Sequence, residues 1–381
     1  MKKIIMIILS MLLISMNITG VSASAKDTIK ISLDNIEEVM LEYSPDMKIA
    51  DNNIESAEEN YDNIVDDVKD LEDKRDEIKK DYDKAVKDEF EIGDGSTDNS
   101  ESIKKVLKET NDSLNKLKES KNNAKYTLRT SRIQYDQKVK AFVYSAQQEY
   151  INYLDTLSKK DLKKDEVNSN QKRIDTNKMK YEMGFISKKE YNSNLMDNTD
   201  VNNSLEELNK KEEIALKNLH LSLGISGNTK IIFNTDINVD LDKISKINFQ
   251  DDLDIMLDNN SSIKIKDIEL DEAEDSDDDD YLVDNAEISL KQEKNKANLE
   301  FEKQYNTLMN SYNTIKNSNN KLNEKQSDFS IMQAKYNYGF VSKNQTDDLE
   351  RELNTKKSDF VSEKNSLYVN YLRYLQMREG Y

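Results

Sequence analysis

Apolar residues recurring every seven positions set the first structural expectation. Ala57, Ile64, Leu71, Ile78 and Ala85 make one row, and Tyr61, Val68 and Tyr82 make a second offset by four, interrupted only at Arg75. A spacing that averages 3.5 residues winds a narrow apolar seam along a helix, and that seam needs a second helix to cover it. The pattern stops at Glu91-Ile92-Gly93-Asp94-Gly95-Ser96-Thr97-Asp98-Asn99-Ser100, whose Gly, Asp, Asn and Ser content reads as a tight polar loop. It resumes at Ile103, Leu107, Leu114, Leu117, Ala124 and Leu128 and runs on through Tyr135, Val139, Phe142, Ala146 and Tyr153. Residues 55–130 are therefore expected to form an antiparallel coiled-coil hairpin. Its outgoing arm would be roughly 50 Å long at about 1.5 Å per residue.

Two stretches of the chain repeat without gaps. Ile31 to Glu58 lies over Ile247 to Glu274 at an offset of 216, pairing Met40-Leu41 with Met256-Leu257, Lys48-Ile49 with Lys264-Ile265 and Ala57-Glu58 with Ala273-Glu274. Lys180-Tyr181-Glu182-Met183-Gly184-Phe185-Ile186-Ser187-Lys188 lies over Lys335-Tyr336-Asn337-Tyr338-Gly339-Phe340-Val341-Ser342-Lys343 at an offset of 155. The first copy thus carries about 61 residues that the second lacks, and the coiled-coil hairpin accounts for them. The fold class is all-α: long antiparallel helical hairpins in two tandem repeats, 26–228 and 247–381, around a linker at 229–246. In the linker, Lys230–Phe233 and Ile237–Leu241 read as either short strands or extended chain, and Gly224 as a helix cap.

The paired glycine motifs have a direct physical reading. A glycine after a helical stretch adopts the left-handed conformation without a Cβ penalty and ends the helix. Ser187 with Glu190, and Ser342 with Gln345, then have the spacing of capping boxes that start the next helix. A link this short forces the chain back on itself, so each motif marks the tip of a helical hairpin. A purely structural turn is the plainer reading of the same residues.

At the N-terminus, Lys2 and Lys3 precede an apolar run from Ile4 to Ile14, followed by Ala23-Ser24-Ala25. This is the layout of an export signal over residues 1–25, with the mature chain starting near Lys26. The run is shorter than the roughly 20 residues that a membrane span needs, and retention as an anchor is the alternative. No later apolar run is long enough to span, so the exported chain is placed in the cell envelope, on the surface or outside the cell. The chain has no cysteine, which excludes disulfides and thiol chemistry. Its net charge of −19, with one Pro, no Trp and 34% charged residues, fits long exposed helices and argues against nucleic acid as a partner.

Enzymatic chemistry finds no support. The one histidine, His220, sits on the apolar segment Leu216–Leu223 with no partner histidine, and reads as structural. The acidic run Asp271 to Asp280 lacks the glycine and closing glutamate of a calcium loop and reads as a solvated charged loop. Tyr371 and Tyr374 read as seam residues. There is no phosphate-binding glycine loop and no nucleophile or zinc motif. No catalytic residue, metal site or cofactor is expected.

Taken with their order and spacing, these residues resemble the TolC-like outer-membrane efflux proteins, over essentially the whole mature chain. Each repeat of that family opens with a short helix ended by a break, here Ile31-Ser32-Leu33 through Ser44-Pro45-Asp46, and later carries a Tyr-x-x-Gly-x-x-Ser turn. The resemblance implies a homotrimer with a long hollow helical body. It also implies that the tips, Tyr181, Gly184, Phe185, Ile186, Ser187 and Glu190 with Tyr336, Gly339, Phe340, Val341, Ser342 and Gln345, meet a membrane-fusion adaptor working with an inner-membrane transporter of the ABC type. Two departures stand out. The acidic residue six positions after the glycine is Glu190 in the first copy but Gln345 in the second, with Asp347 and Asp348 nearby. The strands from which the family builds its membrane β-barrel have no counterpart, since Phe90-Glu91-Ile92 and Asp271 to Tyr281 cannot supply them. The alternative is a secreted or surface coiled-coil protein that has lost transport.

Overall fold

A computed structural model describes residues 28–92, 98–235, 237, 239–275 and 280–381. The expected export signal at 1–25, the centre of the expected polar loop at 93–97 and the middle of the acidic run at 276–279 lie outside the described residues. The first series of elements is β1 (Thr28–Ile31), α1 (Ile36–Tyr43), α2 (Pro45–Ile92), α3 (Asp98–Glu182) and α4 (Lys188–Leu223). The second is β2 (Lys230–Phe233), α5 (Leu241–Ser245), α6 (Phe249–Asn259), α7 (Ser261–Asp275), α8 (Asp280–Asn337) and α9 (Lys343–Arg378). Long antiparallel contacts join α2 to α3, α3 to α4 and α8 to α9, while α9 and α7 also lie against α3 and so bind the two halves together. Among the described residues the fold is all-α apart from one pair of short strands.

The hairpin of α2 and α3 follows the heptads. Seam residues from Ala57 to Ala85 are half-buried or buried while most residues between them are exposed, and Val68 on α2 and Leu114 on α3 are buried. Thr110 fills the seam position between Leu107 and Leu114, and its hydroxyl donates to the Val106 carbonyl (2.9 Å). The antiparallel register is marked by Tyr135 Oη donating to Asp51 (2.6 Å), Arg132 to Glu58 (2.8 Å) and Lys118 to Glu72 (2.6 Å).

The two series differ in length at one end only. From the glycine turns onward they match, α4 and α9 both having 36 residues. At the other end α2 has 48 residues against 15 in α7, and α3 has 85 against 58 in α8. The first hairpin therefore runs on as a bare two-helix arm beyond the last contacts with α7, where Arg129 pairs with Asp271 (2.7 Å) and Tyr126 with Asp275. Those two carboxylates stand on a helix with partners, which corrects the reading of a solvated loop for Asp271–Asp275. A basic and a phenolic side chain on α3, distant in sequence, make the helix tolerable there.

Two apolar clusters form the waist of the molecule. One gathers Ile31, Ile36, Met47, Tyr150, Leu219 and Leu223, the other Met256, Phe301, Leu308, Leu367 and Tyr374. Tyr374 is fully buried there and Tyr371 packs at the edge of the cluster. The strands β1 and β2 pair in parallel, Thr28 opposite Lys230 and Ile31 opposite Phe233, and Tyr150 Oη donates to the Asn234 carbonyl (2.5 Å) beside them. This resolves the linker: Lys230–Phe233 is a strand, whereas Leu241 opens α5. His220 faces two backbone oxygens, with Nδ1 2.8 Å from Leu216 O and Nε2 3.2 Å from Thr229 O, and holds the end of α4 to the start of β2.

Each series also closes on itself. Gly224 (φ +71°) ends α4, with Ile225 N donating to His220 O (3.0 Å), and it abuts the α1–α2 break at Tyr43–Pro45. Gly380 (φ +95°) follows α9, with Tyr381 N donating to Gln376 O (3.0 Å), and it abuts Asn259 at the α6–α7 break. There Ser261 N donates to Gly380 O (2.9 Å). The residue 216 positions earlier is Pro45, which has no N–H to satisfy.

The buried phenols make stability fall at alkaline pH. Burial pushes Tyr150 up to about 12, and burial together with hydrogen-bonded carboxylates raises Tyr374 (beside Asp252) and Tyr135 (beside Asp51) above the usual phenol range. Above pH 10 the unfolded chain has lost these protons while the folded one keeps them, so rising pH favours unfolding, and the stabilisation is complete only below that point. A tyrosinate absorbance titration should show the exposed phenols ionising near pH 10. A second, cooperative step coincident with loss of helical circular dichroism should follow at higher pH. A single smooth step near 10 would count against this burial.

The hairpin tips as a candidate partner-contact site

Both tips are built the same way. At the first, Gly184 (φ +77°) donates to Tyr181 O (3.0 Å) and Phe185 N to Lys180 O (2.7 Å); at the second, Gly339 (φ +75°) donates to Tyr336 O (2.9 Å) and Phe340 N to Lys335 O (2.9 Å). These crossed bonds satisfy the last carbonyls of α3 and α8. Ser187 Oγ then accepts from Glu190 N (3.1 Å), one half of a capping box, while at Ser342 the box is complete, Ser342 N donating to Gln345 Oε1 (2.9 Å). Gln345 thus does the capping work a glutamate would do. The acids near it are already engaged, Asp347 with Lys343 and Asp348 with Arg351.

The turns leave their apolar side chains in solvent. Phe185 is 74% exposed and Phe340 79%, while Ile186 and Val341 are half-buried. Met183 (70%) and Tyr338 (79%), which sequence reasoning did not single out, stand beside them. Their signal was available, since the residue before a left-handed glycine lies on the last, uncovered turn. The Tyr181 ring stacks on Tyr191 with centroids 5.2 Å apart and keeps 36% of its surface exposed. The Lys343 ammonium lies 5.8 Å over the Tyr336 ring. A shared cavity behind the turns is lined by α3 and by the first turn of α9, which brings the two tips to the same end of the molecule. Nothing stands within 4 Å of a Cβ built on Gly184 or Gly339. Gly184→Ala and Gly339→Ala should therefore cost only the left-handed backbone penalty of about 1–2 kcal/mol, measurable by denaturant unfolding.

The seam nearest the first tip is polar. Asn170 and Asn177 are buried on α3, and Asn170 Nδ2 and Asn198 Oδ1 have no hydrogen-bond partner. Each such group costs about 1–3 kcal/mol, so this end is held less firmly than the waist. Amide hydrogen exchange should be faster over 165–205 than over 290–322, where Leu290, Ala297, Phe301, Leu308, Ile315 and Leu322 form a continuous apolar row. Equal protection would contradict it.

None of the described helices is long and apolar enough to cross a membrane. Among the described residues, no cluster of His, Cys, Asp and Glu is placed to hold a metal ion. The joins between α2 and α3 (93–97) and between α7 and α8 (276–279) are too short to contain pairs of spanning strands of about 9–11 residues.

No protein-family model matches the sequence, and no curated protein matches it. Solved structures do match. The chain superposes on CusC, studied for transmembrane channel formation, with a TM-score of 0.61 at 12% identity, over 95% of this chain and 96% of that one. For the Campylobacter jejuni CmeC outer membrane channel the values are 0.60, 11%, 96% and 94%. For the open state of the Neisseria gonorrhoeae MtrE outer membrane channel they are 0.59, 10%, 96% and 94%. The class these observations define is a bundle of long helical hairpins with paired glycine-turn tips. Its fold is that of the TolC-like outer-membrane channels, carried here by helices, with a two-stranded pair at the waist and no barrel strands among the described residues.

Proposed function

We propose that this chain is an exported cell-envelope component of an efflux or export assembly, contacting a membrane-fusion adaptor through its two hairpin tips. The observation that supports this best is the exposure of Phe185 and Phe340 on turns held by crossed backbone hydrogen bonds. The turns hold apolar side chains out in water at a cost, and a protein partner of complementary shape would remove it. The TolC-like fold over nearly the whole chain supports the same reading, and the solved channels it matches are membrane channels. The tandem repeats at 26–228 and 247–381 and a trimeric assembly belong to the same proposal. Exposed apolar side chains along the helices, among them Ile214, Leu221, Ile288 and Leu299, would be covered by neighbouring copies.

A photo-crosslinking amino acid placed at Phe185 or Phe340 should capture an adaptor or transporter subunit in the envelope, identifiable by mass spectrometry. The same probe at Phe90, near the end of the arm, should not. Equal capture from all three positions, or capture of unrelated proteins only, would sink the adaptor reading. Light scattering on the exported chain should give three times the chain mass, and a stable monomer would remove the trimer.

The bare arm of α2 and α3 favours a second reading, a secreted or surface coiled-coil protein that binds or braces without transport. Deletion of the gene separates the two. Altered resistance to exported toxic compounds supports transport, and an altered envelope without it supports bracing.

A further inference from the structure

We propose that the first tip is a site of reversible oxidation by hydroperoxides, at Met183 and its neighbours Met179 and Met196. Among the described residues these are the exposed methionines, Met179 keeping 53% of its surface, Met183 70% and Met196 69%. Met40, Met47 and Met256 are buried in the waist, and Met309, Met332 and Met377 are half-buried. The chain has neither cysteine nor tryptophan, so these thioethers are the first readily oxidised side chains that a peroxide meets. The second tip lacks them. At the positions matched by the repeat stand Ala334, Tyr338 and Arg351.

The placement of Met183 decides what oxidation does. Its N–H donates to Met179 O (3.0 Å), which continues the helical turn, so the two thioethers lie one above the other on one side of α3. Tyr181, between them, turns toward α4 and stacks on Tyr191. Residues two apart on a helix point to nearly opposite sides, so both thioethers face away from α4 and into solvent, beside the exposed Phe185. The sulfur attacks the terminal oxygen of a hydroperoxide, the O–O bond breaks and an S–O bond forms, and the proton on that oxygen leaves with the departing oxygen as water or an alcohol. Sulfur loses two electrons and the peroxide gains them. An apolar thioether becomes a polar sulfoxide, and two thiols reverse the change, yielding thioether, water and a disulfide. Because the three methionines stand in water, the new oxygen leaves no unsatisfied group inside the fold. At the fully buried Met47 and Met256 it would break the waist clusters, and there burial protects the sulfur. The change is therefore confined to the contact surface of one tip. Resting on the adaptor reading, its consequence is weaker docking through the first tip with the second unaffected.

The test starts from the full exported chain in dilute hydrogen peroxide, with peptide mapping by mass spectrometry. Met179, Met183 and Met196 should take up oxygen about tenfold faster than Met40, Met47 and Met256 while the helical signal stays intact. Even uptake over all methionines, or loss of helix before the tip is oxidised, would overturn the site. In the envelope, capture by a crosslinker at Phe185 should fall several-fold after peroxide, and capture at Phe340 should hold. Met183→Leu keeps the volume without the sulfur and should preserve capture after peroxide, whereas the polar Met183→Gln should lower it with no peroxide added. Unchanged capture at Phe185, or the same loss in Met183→Leu, would overturn the effect on docking. No capture from either tip before peroxide would instead remove the adaptor reading, and that effect with it, while the mapping still decides the site.

Discussion

Gly224→Ala will destabilise the protein by more than about 3 kcal/mol, and Gly380→Ala by a similar amount, while the same change at Gly184 costs a fraction of that. All three glycines have positive φ, so the backbone penalty is common to them. What differs is the space beyond. A Cβ on Gly224 would stand 2.4 Å from Ser44 Cα and 2.7 Å from Tyr43 O, and one on Gly380 would stand 2.2 Å from Asn259 O. Backbone atoms at a helix break cannot move aside as a flexible side chain can. The α1–α2 and α6–α7 breaks would have to shift, and with them Met47 and Met256, both fully buried in the two clusters. Guanidinium unfolding followed by circular dichroism measures all three variants on one scale. Equal losses at Gly224 and Gly184 would mean that the close approach at the helix breaks contributes nothing.

Phe301→Ala should cost about 3–5 kcal/mol, the usual range for emptying a buried phenylalanine site. Its ring is fully buried, stacked on Tyr374 with centroids 4.9 Å apart and on Phe249 at 5.7 Å. These rings come from α6, α8 and α9, so the vacated volume lies where three helices meet and none can close in without pulling on the others. Tyr374→Phe keeps the stack but removes the hydroxyl that donates to Asp252 (2.7 Å), leaving that carboxylate with Arg378 at 3.7 Å as its counter-charge. About 1–2 kcal/mol is the expected loss for that change. Against a total stability of the order of 5–15 kcal/mol, the first substitution should visibly lower the unfolding midpoint and the second shift it modestly. A cost below 1 kcal/mol for Phe301→Ala would mean that the coiled-coil seams, and not the waist cluster, carry the stability of the second half.

The long helices and both tips were legible in the sequence because their signals are local. Heptad rows from Ala57 to Ala85 and the Gly-x-x-Ser motifs act through neighbours three to seven residues away, and the structure puts helices and left-handed glycines at those positions. The strand Thr28–Ile31 was not legible, because its pairing partner lies some 200 residues on and four residues carry too little alternation to betray it. Gly380 was missed for the same reason, its role being set by contact with Asn259 on another helix. The part of the acidic run at Asp271–Asp275 was misread as loop because Arg129 and Tyr126, which give Asp271 and Asp275 partners, stand on a helix far away in sequence. Of the named tip residues, Phe185 and Phe340 stand where the motif placed them, exposed. That Tyr181 stacks on Tyr191 could not be read from the motif.

The unequal arms make the reach of this protein an adjustable dimension. Toward its far end the arm consists of α2 and α3 packed on each other, and its seam repeats every seven residues, so one heptad can be removed from each helix there without altering the clusters at the waist or the tips. Each matched deletion would shorten the arm by about 10 Å, and each matched insertion would lengthen it equally. A heptad removed from one helix alone would keep each seam in phase but leave the two helices of the arm unequal in length. The molecule is in this sense a gauge with graduations of fixed size, whose working end can be moved relative to its body in whole steps but not in fractions of one.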